Sequence, residues 1–463
     1  MSDFEGYLSP FSWRYASPEM RQLWSETNRR KMWRRIWVAL ARTQSQFNLV
    51  RPEQVADLEI HQSQIDIPRA LEIEAEIHHD LMAEVRTFAE QCPAGGGIIH
   101  LGATSMDIED NADALRLGMA LDLIIKRLKS VLAEFESKIR DHADTPIIAF
   151  THLQPAEPST LGYRLASYAQ DLLFDFEELT RIRAGIRGKG FKGAVGTAAS
   201  YIELLGPQNY LVFENDLSRL LDLPFYQVTT QTYPRKQDYT ILAALAGLGG
   251  SLYKFAFDLR LLQSPVIGEW SEPFAEKQVG SSAMPFKRNP INSEKIDSLA
   301  RTLSSMPQVA WQNAAHNLLE RTLDDSANRR TLLPEAFLIC DEILNTARRL
   351  VRGLKIDMDS ISRNLAVYAP FASTERLLMA LVKGGADRQE MHEQLRSQAM
   401  LAWEVVRKGG PNPLAEGLAN DPAILKYLNP GQINDLMQVE GYTGIAAQRA
   451  RDIAAEIAKA LSA

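Results

Sequence analysis

Cysteine is nearly missing from this chain: two thiols, Cys92 and Cys340, occur in 463 residues. So few thiols in so long a chain fit a reduced, intracellular protein. Sustained basic runs are also lacking, and the formal net charge is −7. A nucleic-acid or membrane-surface partner needs a clustered positive excess, so neither is expected. No window approaches eighteen uncharged apolar residues, which argues against a membrane span. The opening Met1-Ser2-Asp3-Phe4-Glu5 has no basic region followed by an apolar core, so no secretory leader is expected either. The expected location is the cytoplasm. Internal repeats and low-complexity tracts are absent as well. What remains, 45% hydrophobic and 24% charged residues, is the balance of a folded globular protein.

Helical periodicity dominates what is present. Leu117, Leu121, Ile124, Leu128, Val131 and Phe135 step by three and four. The same step links Leu161, Leu165, Tyr168, Leu172, Phe176 and Leu179, and again Leu245, Leu248, Leu252, Phe255, Leu259 and Leu262. Each series draws one apolar stripe along a long helix. Around the third, Ala243, Ala244, Ala246, Gly247, Gly249 and Gly250 allow close helix approach. Strand patterns are scarce, with Ile147-Ile148-Ala149-Phe150 the best short candidate. The fold class is all-α, and the length fits roughly three domains. Such stripes serve a homo-oligomeric bundle or the core of a monomer equally well.

Irregular, Gly/Pro/Ser-rich segments interrupt the helices at 92–105, 145–160, 185–200, 228–238 and 270–292. Loops of this kind on rigid helices commonly carry binding groups. Gly188-Lys189-Gly190-Phe191-Lys192-Gly193 matches a dinucleotide fingerprint by letter, but a helical stripe rather than a strand precedes it. His79, His100 and His152 lie in or beside unusual segments. No H-E-x-x-H and no Cys pair supports a zinc site, and adjacent His78 and His79 on a helix would diverge by about 100°. The run 280–290, GSSAMPFKRNP, is either a polar surface loop or a flap able to close over an anion. The run 320–330, ERTLDDSANRR, is either a solvated charged face or a set of guanidinium groups suited to phosphate.

Taken together these segments resemble the fumarase/aspartase superfamily, whose signature G-S-S-x-M-P-x-K-x-N-P is matched in full from Gly280 to Pro290. Thr104-Ser105 with Asp110-Asn111, and Thr151-His152-Leu153-Gln154-Pro155-Ala156, resemble its two other signature regions. Arg14-Tyr15-Ala16-Ser17-Pro18, Gln231-Thr232-Tyr233 with Arg235-Lys236, and Arg321 through Arg330 resemble the adenylosuccinate lyase family within it. The resemblance implies three mostly helical domains, here 1–103, 104–356 and 357–463. It also implies a homotetramer built on a long-helix bundle, active sites shared between subunits, and no metal or organic cofactor. The implied reaction removes fumarate from a succinyl-purine nucleotide, either adenylosuccinate or the succinylated aminoimidazole carboxamide ribotide.

The resemblance further implies Ser281 as base and His152 as acid, with Glu294 orienting His152 and Lys287 and Asn289 stabilising charge on the succinyl carboxylate. A serine hydroxyl needs an alkoxide-stabilising pocket to act as a base, which flap N–H groups and Lys287 could supply. His79 becomes a second polar clamp, His100 a contact at the succinyl or phosphate end, and Thr104 and Ser105 binders of the carboxylates. Arg14, Tyr15, Arg321, Ser326 and Arg330 resemble phosphate and ribose contacts, and Gln231 a substrate amide contact. His78, Asp80 and Lys295 complete the expected binding set. Two of these depart from the family pattern: His78 and Lys295 stand where relatives often have arginine, and Lys295 loses the bidentate fork. A sister lyase such as argininosuccinate lyase, or a non-catalytic helical assembly, is the alternative.

Overall fold

The computed structural model describes residues 4–439 and 441–462. Met1, Ser2 and Asp3, on which the leader expectation partly rests, lie outside the described residues, as do Glu440 and Ala463. Helices α1 (Pro10–Trp13), α2 (Pro18–Leu23), α3 (Glu26–Ser45), α4 (Pro52–His61), α5 (Ile67–Ile77) and α6 (Asp80–Gln91) come first. The long helix α7 (Ser105–Asp141) follows, then strands β1 (Pro146–Thr151) and β2 (Gln154–Thr160) and helix α8 (Leu161–Ala184). Next are α9 (Ala199–Leu205), α10 (Pro207–Leu221), α11 (Lys236–Leu262), strand β3 (Trp270–Ser271), α12 (Ile291–Ala315) and α13 (Asp324–Gly353). Strand β4 (Lys355–Ile356), α14 (Met358–Lys383), α15 (Arg388–Arg407), α16 (Leu414–Ala419), α17 (Pro430–Met437) and α18 (Ala446–Ser462) end the chain. The expected all-α class is what the chain adopts.

Two compact units result, each from three separate stretches: Met1–Leu128, Asp175–Gly250 and Ser298–Asn345 in the first, Lys129–Phe174, Ser251–Asp297 and Thr346–Ala463 in the second. Five long helices contribute residues to both.

All three apolar stripes are realised as core. Leu117, Leu121, Ile124, Leu128, Leu179, Leu245 and Leu248 are fully buried in the first unit. Val131, Phe135, Leu161, Leu165, Leu252, Phe255 and Leu259 are fully buried in the second, where the rings of Phe135 and Phe255 meet edge to face at 5.2 Å. Burying each such side chain contributes roughly 1.5–3 kcal/mol. Helices α11 and α14 are long and apolar enough to cross a membrane by length and composition, which the sequence reading did not anticipate. In α11 that composition serves the core: Leu242, Leu245, Leu248, Leu252, Phe255 and Leu259 have no exposed surface.

The segment 145–160, expected to be irregular, is instead a hairpin of β1 and β2. Its register runs from Pro146 opposite Thr160 to Thr151 opposite Gln154, with an irregularity between Ile148 and Phe150. The strand expected at Ile147–Phe150 is therefore present, and Ile147 and Ile148 are buried.

Charge is also buried where it fastens helices. The Glu84 carboxylate on α6, with no exposed surface, accepts from Arg30 Nη1 at 2.7 Å and from Arg34 Nε at 2.6 Å, both on α3. Replacing Glu84 with alanine leaves the buried Arg34 without its carboxylate and Arg30 with Glu26 alone. We expect Glu84→Ala to cost about 3–5 kcal/mol, read as a lowered denaturant midpoint; an unchanged midpoint contradicts this role.

Candidate active site

In the first unit, the start of α7 is fixed by Asp107. The Asp107 carboxylate accepts from the backbone N–H of Thr104 at 3.0 Å, and also from the N–H groups of Lys192 and Gly193. It forms a fully buried ion pair with Lys189. The glycine-rich run 188–193 is thereby accounted for: it follows helix α8, and its first lysine is a structural counter-ion. Thr104 and Ser105 sit at the N-terminus of a 37-residue helix, where unpaired N–H groups and the helix dipole favour carboxylates.

Three candidate histidines adopt the left-handed backbone region that non-glycine residues avoid: His78 (φ 53°), His100 (φ 70°) and His152 (φ 52°). Such residues persist only where the surroundings hold them, and they concentrate at functional sites. The first corrects an expectation: His78 and His79 do not share a helix, because His78 ends α5 and His79 caps α6, its Nδ1 accepting from Met82 N–H at 3.4 Å.

His100 is fixed by the buried Trp37 indole, whose Nε1–H donates to His100 Nδ1 at 3.1 Å. An indole nitrogen only donates, so Nδ1 must keep its lone pair and the imidazole proton rests on Nε2. Burial lowers the His100 pKa, Asp107 raises it and His79 lowers it further, for a net fall. His100 is thus a neutral N–H donor.

Arginines gather at the start of α13. A cavity of about 180 Å³ is lined by Arg29, Glu109, Arg116, Arg321, Ser326 and Arg330 among others. Arg321 Nη1 donates to Asp325 at 2.8 Å, and Arg330 Nη2 to Asp80 at 2.6 Å. The expected residues Asp80, Arg321, Ser326 and Arg330 are therefore brought together. Arg14 caps α1 and is exposed, Tyr15 is half-buried, and the Gln231 N–H donates to the Glu320 carbonyl at 3.1 Å. Sequence reasoning missed Trp37, Arg29 and Arg116, which sit on ordinary helical stretches with no motif around them, and Glu109, which lies inside the 104–111 signature region but was passed over. Arg329 was seen only as part of a run.

In the second unit, His152 and Leu153 form the two-residue turn of the β1–β2 hairpin, both with positive φ. Such turns favour Asn-Gly, so a histidine there carries strain of order 1–3 kcal/mol. The turn presents an exposed His152 at the tip, against a cavity of about 740 Å³ that Arg164, Lys254, Asp258 and Asn364 also line.

The flap 280–290 is closed at its neck. Asn289 Nδ2 donates to the Gly280 carbonyl at 3.0 Å, and a Cβ at Gly280 would lie 2.1 Å from the Lys287 carbonyl oxygen. Glycine is therefore required there. Inside the flap the Ser281 Oγ accepts two backbone N–H groups, Met284 at 3.0 Å and Ala283 at 3.3 Å. Lys287 is exposed. Glu294 ends the first turn of α12 and Lys295 begins the second, with Glu294 4.0 Å from Arg260. Among the described residues no hydrogen bond or ion pair joins His152 to Glu294 or to Ser281.

One cluster offers metal-ligand atoms among the described residues: Asp57, His61 and Cys92, within 4.8 Å of one another. Asp57 is already engaged, accepting from Ala94 and Gly95 N–H at 2.8 Å each. Burial pushes the Cys92 thiol up to about 12, so it is not a ready thiolate.

A family described as Lyase matches residues 14–303, and one described as Adenylosuccinate lyase C-terminus matches residues 370–453. The chain is 39% identical to the adenylosuccinate lyase of Saccharomyces cerevisiae, covering 97% of this chain and 94% of that protein. It is 35% identical to the adenylosuccinate lyase of Pyrococcus abyssi, with 95% of each covered. The crystal structure of a fumarate lyase from Mesorhizobium sp. BNC1 superposes with a TM-score of 0.84 at 26% identity, covering 97% of this chain and 99% of that one.

We expect Trp37→Phe, which keeps the apolar ring but removes the donor, to raise the His100 pKa. A pH titration of the histidine ring signals by NMR checks this; an unmoved His100 midpoint contradicts the tautomer assignment.

Proposed function

The chain belongs to the adenylosuccinate lyase family and has that carbon–nitrogen lyase function, and from this premise we propose how its residues divide the reaction. Ser281 takes the proton from the carbon beside a succinyl carboxylate. The electron pair of that C–H bond becomes the C=C bond of fumarate as the C–N bond breaks. His152 delivers a proton to the departing nitrogen, leaving AMP. The observation that carries the base assignment is the pair of N–H groups on Ser281 Oγ. An alkoxide formed there meets donors already in position, so its charge needs no reorganisation. Lys287, at the far end of the same flap, adds positive charge near the succinyl end.

Thr104, Ser105 and the Nε2–H of His100 receive the carboxylates, and Arg321, Ser326 and Arg330 receive the phosphate. Local cations rather than the net charge of −7 attract the substrate. The succinylated aminoimidazole carboxamide ribotide presents the same phosphate and succinyl groups and is the second substrate; the role we propose is in purine and AMP biosynthesis, in the cytoplasm.

The assembly we propose is a homotetramer with shared sites. Phe174 on α8, Phe257 on α11 and Trp311 on α12 are each more than half exposed on otherwise core-forming helices, apolar surface that a partner copy would cover. Ser281 and His152 from different copies would then meet around one substrate.

Conversion of adenylosuccinate to AMP, followed spectrophotometrically, tests the assignment. We expect Ser281→Ala to lose nearly all turnover, by roughly 10³-fold or more, while staying folded and oligomeric. His152→Ala should lose about 10²–10⁴-fold. Wild-type rates in either variant would move that role to another group.

A further inference from the structure

The small cavity at the start of α13 holds one carboxyl group that the reaction does not use. Glu109, in the second turn of α7, lines it together with Arg29, Arg116, Arg321 and Arg330. Each other carboxylate around it already has a guanidinium. Asp80 accepts from Arg330 at 2.6 Å, and Asp113 is paired with Arg116 and lies 3.2 Å from Arg329. Asp325 accepts from Arg321 and Arg235, Asp110 from Arg235, and Glu26 from Arg29 and Arg30. Among the described residues Glu109 has neither a hydrogen bond nor an ion pair. It stands half-buried in an anion pocket as the one carboxyl there, among the described residues, with no ion-pair partner.

We propose that Glu109 is the proton-linked element of the phosphate pocket, donating a hydrogen bond to a phosphate oxygen as a neutral acid and repelling the phosphate once ionised. This rests on the reading of Arg321, Ser326 and Arg330 as phosphate contacts, and it deepens that reading by assigning a fourth group and a pH dependence.

The electrostatics agree with the geometry. Burial, then the negative Asp80 and Asp113, push the Glu109 carboxyl up to about 8, with Arg29 pulling down and Asp110 adding to the rise. Near neutral pH the group therefore holds its proton, and at higher pH it loses it. A phosphate dianion arriving beside it favours the protonated form further. By linkage, ligand binding above the free-state midpoint must then take up a proton. Affinity for a phosphate ligand is full below that midpoint and falls as pH rises through it. A single group with a midpoint near 8 gives about a tenfold loss between pH 7 and pH 9. The phosphate itself adds little to this, because its second pKa is about 6.

Calorimetric titration of AMP into the intact oligomeric enzyme near pH 7, 8 and 9 tests the proposal. Wild type is expected to lose about tenfold in affinity over that range. At the alkaline end its binding heat should vary with the ionisation enthalpy of the buffer, the sign of proton uptake. Glu109→Gln, which keeps the shape and a donor but cannot ionise, should abolish both effects while holding AMP at alkaline pH about as well as near neutrality. Glu109→Asp should retain a pH dependence with a displaced midpoint. A Gln variant that keeps the wild-type pH dependence and proton uptake overturns the role of Glu109. Arg321→Ala separates this from the underlying reading. If that variant binds AMP as tightly as wild type, the phosphate assignment itself is wrong and the proposal goes with it. If it binds weakly while Glu109→Gln titrates like wild type, only the Glu109 proposal fails.

Discussion

Two arginines buried in the first unit dictate the geometry of its polar site. Arg235 donates to Asp325 at 2.7 Å and to Asp110 at 2.9 Å, and Arg329 donates to Asp238 and to the Tyr233 hydroxyl, each at 2.8 Å. Asp110 also accepts from the Tyr233 N–H at 2.7 Å. A guanidinium shut away from water must keep its carboxylates, because losing one partner costs about 3–5 kcal/mol. Helix α7, the 228–235 segment, α11 and the first turns of α13 are therefore tied to one lattice. Arg321, Ser326 and Arg330 occupy their positions because α13 cannot drift from it. The arginine pocket inherits its precision from charges held by their own buried carboxylates.

The groups assigned to proton transfer follow the opposite principle. His152 sits on a strained two-residue turn and Ser281 in a flap held at its neck by Gly280 and Asn289. Their backbones are constrained locally, and among the described residues no hydrogen bond joins the two side chains, Ser281 being held by N–H groups of its own flap. That is the arrangement expected of groups completed by substrate and by a second copy of the chain. A pinned binding pocket and reacting groups carried on turns suit an enzyme that closes over its ligand.

Much of this was legible in the sequence. The three apolar stripes became fully buried core because a 3.6-residue repeat over twenty residues leaves few alternatives. The flap was legible because glycine, two hydroxyls and two prolines in one run oppose any regular element. The hairpin at 145–160 was not, since Pro155 and Pro158 disguise β2 as a loop. Two discontinuous units could not be read from a linear pattern either, because long helices contribute to both. Glu109 and Arg116 were invisible for a simpler reason: a charged residue on a helix reads as solvated until the opposing helix is known. The adjacent histidines misled because neither propensity nor spacing revealed that His78 would turn left-handed between α5 and α6.

In the proposed enzyme the acid and the base serve one substrate from different copies of the chain. Mixing two inactive variants, one lacking the Ser281 hydroxyl and the other the His152 imidazole, tests it most directly after subunits are allowed to exchange. Hybrid oligomers should regain a measurable fraction of adenylosuccinate cleavage, because some sites receive both intact groups. A mixture that exchanges subunits completely yet stays inactive would contradict it.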